Sequence, residues 1–135
     1  MTPFPYSINA DGTVTEAAAM MEERGFHHLP VKDGERLVGV INVRDVAVAR
    51  RVRASGAAND QPISVRAACR TEPYVVDMND PLEQVVRGMA ERRAEAALVT
   101  RRGRLAGIIT STDVAHLLAD LVAEMNPSPP GDDIA

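Results

Sequence analysis

A mixed α/β fold built from two copies of one β-α-β-β-α unit is what this 135-residue chain predicts. Three observations carry that reading. Shifting the sequence by 68 residues superimposes it on itself without a gap from Ile8 to Val48, with 11 identities in 41 positions. Within each copy the apolar period changes from helical to strand-like in the same order. Gly39 falls on Gly107, Asp45 on Asp113, Val31 on Val99 and Met21 on Met89, so turn, strand and helix positions share one register.

In the first copy Tyr6-Ser7-Ile8 is a short extended piece, and Thr13-Val14-Thr15-Glu16 is a capping box that opens a helix. Val14, Ala17, Ala18 and Met21 follow at i, i+3, i+4 and i+7, and Gly25 stops the helix. His28 to Lys32 and Leu37 to Ile41 read as strands around the turn Asp33-Gly34-Glu35-Arg36, and Asn42 to about Arg53 as the second helix. In the second copy Asp80 is the expected N-cap, Pro81 the first helical residue and Glu83 the returning carboxylate. Leu82, Val85, Val86 and Met89 repeat the apolar face; Ala96 to Thr100 and Leu105 to Ile109 are strands, and Thr110 to about Met125 the closing helix. The resulting boundaries are 1–54 for repeat one, 55–61 for a small, polar linker, 62–125 for repeat two and 126–135 for a flexible acidic tail. A unit of this size buries too little surface alone, so the two copies are expected to share a core.

Composition narrows the function. A net charge of -4 argues against a nucleic-acid binder held by phosphate contacts, and Arg101-Arg102-Gly103-Arg104 lacks the aromatic platform of a single-strand reader. The single cysteine, Cys69, excludes an internal disulfide framework and a Cys-based zinc cluster. No apolar run approaches the roughly 18 residues of a membrane span, and no signal-peptide pattern precedes the first strand, so the expected location is cytoplasmic. Nucleophile elbows, Walker loops and paired histidines at i, i+4 are missing, so the expectation is a non-enzyme with no catalytic residue and no metal ligand.

The order of motifs resembles the tandem CBS-domain family, a pair of CBS repeats forming a Bateman module. The residues that carry the resemblance are Met1-Thr2-Pro3, Gly25 to Val31 and Leu37 to Asp45 in the first copy, with Glu72 to Val76 and Leu105 to Asp113 in the second. It covers residues 1 to 124 or so. The resemblance implies a pseudo-two-fold disc, frequent dimerisation, and adenosyl ligands (AMP, ADP, ATP or S-adenosylmethionine) bound in clefts between repeats, with no cofactor required. Three departures stand out: Asn42 where the family favours Thr or Ser, Leu98 where it favours proline, and no counterpart of Pro62 to Ala68 before Met1.

Thr110-Ser111-Thr112-Asp113 is at once a helix cap and a place where a carboxylate can accept ribose hydroxyls while Thr110 and the helix amides face a phosphate. His27 and His28, adjacent on a strand, point to opposite faces and do not chelate; the resemblance implies that this position reaches the phosphates of a nucleotide held by the other repeat. Tyr74, Val75 and Val76 are candidates to flank the adenine, or an ordinary short strand. Thr110, Asp113, His27, His28, Tyr74, Val75 and Val76 form the expected site, and Asn42, Arg44, Asp45 and Ile8 a weaker second one, since Glu95 and Ala96 occupy the positions equivalent to the histidines. The function expected is a regulatory module sensing an adenine nucleotide; the alternative is a ligand-free dimerisation or docking module. Expected partners are a second copy, through the faces Val14/Ala17/Ala18/Met21 and Leu82/Val85/Val86/Met89, and an unidentified regulated protein.

Overall fold

In the computed structural model, residues 2–3, 6–55 and 61–127 are described. Residues 1 and 4–5, residues 56–60 of the linker and the tail beyond residue 127 lie outside them. The elements run β1 (Thr2–Pro3), β2 (Ile8–Asn9), α1 (Val14–Arg24), β3 (His28–Asp33), β4 (Arg36–Asn42), α2 (Val43–Ala54), α3 (Val65–Ala68), β5 (Arg70–Thr71), β6 (Tyr74–Asp77), α4 (Leu82–Arg92), β7 (Ala96–Arg101), β8 (Arg104–Thr110) and α5 (Ser111–Met125). Each repeat contains the expected β-α-β-β-α unit, and α3 has no counterpart in the other repeat among the described residues.

Two four-stranded sheets result, in the orders β2-β3-β4-β5 and β1-β8-β7-β6. In each, a parallel pair spans the first helix of the repeat (β2 with β3, β6 with β7), followed by an antiparallel hairpin. Both hairpins carry a register irregularity at the equivalent step, Val31/Lys32 and Val99/Thr100. The outer strand of each sheet comes from the other half of the chain: β5 pairs β4, and β1 pairs β8. This exchange covers one sheet edge per repeat and ties the halves together. At Gly39 the crossing strand comes so close that an added Cβ would lie 2.6 Å from the Arg70 carbonyl oxygen, which is why glycine stands there.

The principal core is shared. Ile8, Val14, Ala17, Ala18, Met21, Leu29, Val31, Ile41, Val46 and Ala49 of repeat one enclose Leu98 and Ile108 of repeat two, with Val65 of α3 sealing one end. A smaller cluster of Val76, Val85, Met89, Ala97 and Val99 serves repeat two alone. The apolar faces expected to form a dimer are therefore mostly consumed within the protomer. Val14, Ala17, Ala18, Met21, Val85 and Met89 are buried, while Leu82 is exposed.

Helix termini follow local chemistry, with one correction. Thr13, Asn42 and Thr110 each accept from the amide three residues on, and Glu16, Asp45 and Asp113 return to the cap amide, three complete capping boxes. Asp80 does not cap α4: its carboxylate accepts from the Asp77 amide at 2.9 Å, closing a turn at the end of β6. Pro81 takes the N-cap position without a side-chain bond, and Glu83 pairs with Arg87 instead.

Candidate functional site

The exchange of outer strands creates two clefts where the end of one repeat's hairpin meets the other repeat. Registers fix their contents: His28 pairs with Asn42, and Ala96 with Thr110, so a strand start and a helix start meet at equivalent places in each repeat.

The first cleft, of about 200 Å³, is lined by Thr110, Thr112, Asp113 and Ile108 on one wall and by Gly25, Phe26, His27 and His28 on the other. It brings the Thr110/Asp113 pair to the two histidines across the repeats. The Asp113 carboxylate accepts from the Thr110 amide at 2.9 Å through Oδ2. The α5 N-terminus adds the positive end of a 15-residue helix.

The second cleft, of about 230 Å³, is lined by Asn42, Arg70, Thr71, Glu72, Tyr74, Arg92, Arg93, Glu95 and His28 among others. Tyr74 thus sits with Asn42 and not with Asp113, because β5 carries the chain into repeat one's sheet just before Tyr74. Val76 is buried in the small core and Val75 faces outward, so neither lines either cleft. Ile8 is a core residue and neither Arg44 nor Asp45 lines this cleft, leaving Asn42 as the member of the weaker site that reaches it.

Arg70, Arg92 and Arg93 were not singled out from the sequence. Arg92 stacks on the Tyr74 ring, 4.4 Å from its centroid, and the equivalent pair Arg24 and Tyr6 does the same at 4.5 Å. The signal was present in the 68-residue register, which aligns Arg24 with Arg92 and Tyr6 with Tyr74. Tyr74 also lies against Gly88, where any Cβ would collide with its hydroxyl. Arg93 ends α4 in the left-handed region (φ 51°), where its repeat partner is Gly25, and Glu72 across the cleft is left-handed too (φ 58°). Two charged, non-glycine residues held in that conformation on one cleft are a concentration of backbone strain.

His28 lines both clefts. Its Nε2 is buried without a hydrogen-bond partner and stands 3.9 Å from Glu95. Burial holds the imidazole below its ordinary value, against the opposing pull of Glu95. Arg44 reaches across to Glu95 in a close ion pair, and that hydrogen bond lowers the Glu95 carboxyl. Glu95, read from sequence as a charge that would repel phosphate, is thus substantially neutralised by a residue expected to be a ligand contact. Among the described residues no group of three His, Cys, Asp or Glu side chains could hold a metal ion. No helix among them is long and apolar enough to cross a membrane.

Comparison with known proteins agrees with this architecture. The CBS-domain family model matches residues 1–51 and 65–120. Hypoxic response protein 1 of Mycobacterium tuberculosis is 31% identical over 111 residues, covering 80% of this chain and 74% of that protein. The human H(+)/Cl(-) exchange transporter 3 is 28% identical over 130 residues, 79% of this chain, and the chain spans 16% of that transporter's length. The solved structure of CBSX2 in complex with AMP matches with a TM-score of 0.71 at 24% identity, covering 90% of this chain and 94% of that one.

Proposed function

The chain belongs to the CBS-domain family as a tandem pair of repeats, and from that premise we propose that it is a non-catalytic regulatory module that takes an adenine nucleotide in the Asp113 cleft and acts in the cytoplasm. One observation carries the reading: a carboxylate and two threonine hydroxyls at a helix N-terminus face a pair of histidines from the other repeat across one cleft. The carboxylate suits ribose hydroxyls, and the helix end and His28 suit phosphate oxygens. CBSX2, of the same fold, has been solved with AMP. At about 200 Å³ the cleft is smaller than the roughly 300–1,000 Å³ of enclosed ligand pockets, so the nucleotide lies in an open groove and exposes part of its surface.

A second reading places the nucleotide in the other cleft. Arg70, Arg92 and Arg93 there form a cationic wall, and the left-handed Arg93 and Glu72 are the strain expected of a built site. Against it, Asp45 does not line that cleft, and Glu72 offsets part of the arginine charge.

Thermal unfolding with AMP, ADP, ATP and S-adenosylmethionine tests the proposal. A ligand at about a hundred times its Kd adds roughly 2.7 kcal/mol. The phosphate-bearing ligands are expected to raise Tm, and their affinity to rise as pH falls. Because the His28 pKa starts below the ordinary imidazole value of about 6.5, that rise is expected below this pH rather than around neutrality. Flat curves for the whole panel at millimolar concentration would leave the ligand-free docking module as the function.

A further inference from the structure

The Asp113 cleft does not end at the histidines. His27, His28 and Thr112 also line a further groove of about 330 Å³ at the starts of α2 and α5, and the charged side chains on its wall are Arg44 and Glu95. No other lysine, arginine, aspartate or glutamate lines it among the described residues. Arg44 comes from repeat one and Glu95 from repeat two, and the two are joined in one ion pair. Burial holds the His28 imidazole below its ordinary value, so at neutral pH it adds no full charge. The helix ends that meet here are largely spent. The first amides of α2 and α5, those of Val43 and Ser111, donate to the carbonyls of His27 and Glu95. The third, those of Asp45 and Asp113, donate to the side chains of Asn42 and Thr110.

We infer that Glu95 determines specificity: held by Arg44 in the groove beyond the histidines, it turns away second and third phosphates, so the module selects an adenosine monophosphate over the di- and triphosphate. The selection rests on the Asp113 cleft being the nucleotide site. With the ribose on Asp113 and the first phosphate at Thr112 and the histidines, the groove is where a longer phosphate chain goes. Each further phosphate brings negative charge into a groove whose one cation is already matched by one carboxylate. Turning Arg44 to a phosphate gives no relief, because it strips Glu95 of its partner beside the same oxygens. Discrimination of this kind comes from a repulsive element and not from an added contact. In the repeat register Glu95 stands where the first copy has His27, so the acid occupies only one of two equivalent positions.

Isothermal titration with AMP, ADP and ATP at neutral pH in magnesium-free buffer tests it. The readout is the ratio of the ATP and AMP Kd values, which a general loss of affinity does not mimic. In the parent chain ATP is expected to bind about tenfold or more weakly than AMP, with ADP between them. Glu95→Gln, which keeps the size of the side chain and the backbone carbonyl that receives the Ser111 amide, is expected to narrow the ratio to about threefold or less. Arg44→Ala, which bares the carboxylate, is expected to widen it. ATP bound as tightly as AMP by the parent, or a ratio that Glu95→Gln fails to narrow or Arg44→Ala fails to widen, would overturn the selection and leave the Asp113 cleft in place. A chain that binds none of the three would overturn the nucleotide reading itself, and the selection with it.

Discussion

Asp113→Ala is expected to weaken adenine-nucleotide binding by roughly ten- to a hundredfold, the equivalent of a charge-assisted hydrogen bond worth about 1.5–3 kcal/mol. Asp45→Ala is expected to leave affinity within about threefold. The pair is informative because the two aspartates do the same structural work. Each accepts from its cap amide at 2.9 Å and completes a capping box, so each substitution costs a similar ~1 kcal/mol of helix stability. What differs is where the carboxylate faces, since Asp113 lines its cleft and Asp45 does not. Isothermal titration of both variants separates binding from capping. Equal losses, or a larger loss for Asp45→Ala, would mean that the Asp113 carboxylate does not hold the nucleotide.

The second large effect concerns the shared core. Leu98 belongs to β7 of repeat two but is fully buried among Leu29, Val31 and Ile41 of repeat one. Leu98→Ala is expected to cost about 3 kcal/mol, transfer and cavity contributions together. That is a large fraction of the roughly 5–15 kcal/mol that holds a domain folded, and it corresponds to a fall in Tm on the order of 10 °C. Because the cluster spans both repeats, the loss is expected as a single displaced transition. Calorimetry that resolved two transitions, with only one moved, would mean that the repeats unfold independently.

What could be read in the sequence was local or periodic. The capping boxes at Thr13, Asn42 and Thr110, the Gly25 stop and the two hairpins depend on residues within four positions of one another. The repeat register then placed His27 and His28 against Asp113, because a resemblance supplied the packing of one copy on the other. The exchange of β1 and β5 between sheets was not legible, since strands of two residues carry no period. That exchange is what moved Tyr74 to the Asn42 cleft. Nor could the turn at Asp77–Asp80 be distinguished from a cap, as one aspartate serves either geometry. The α1 and α4 faces looked large enough for a dimer only because the depth of the common core was unknown. The strain at Arg93 left a faint trace: arginine stands where the first copy ends its helix with glycine.

The position of the nucleotide decides the account. Backbone amide shifts of the 15N-labelled chain titrated with AMP report it directly. The expected result is perturbation concentrated at Gly25 to His28 and Gly107 to Val114, the two walls of the Asp113 cleft, with small changes at Arg70 to Tyr74. Perturbation centred instead on Arg70 to Tyr74 and Arg92 to Glu95, or none at saturating AMP, would contradict it.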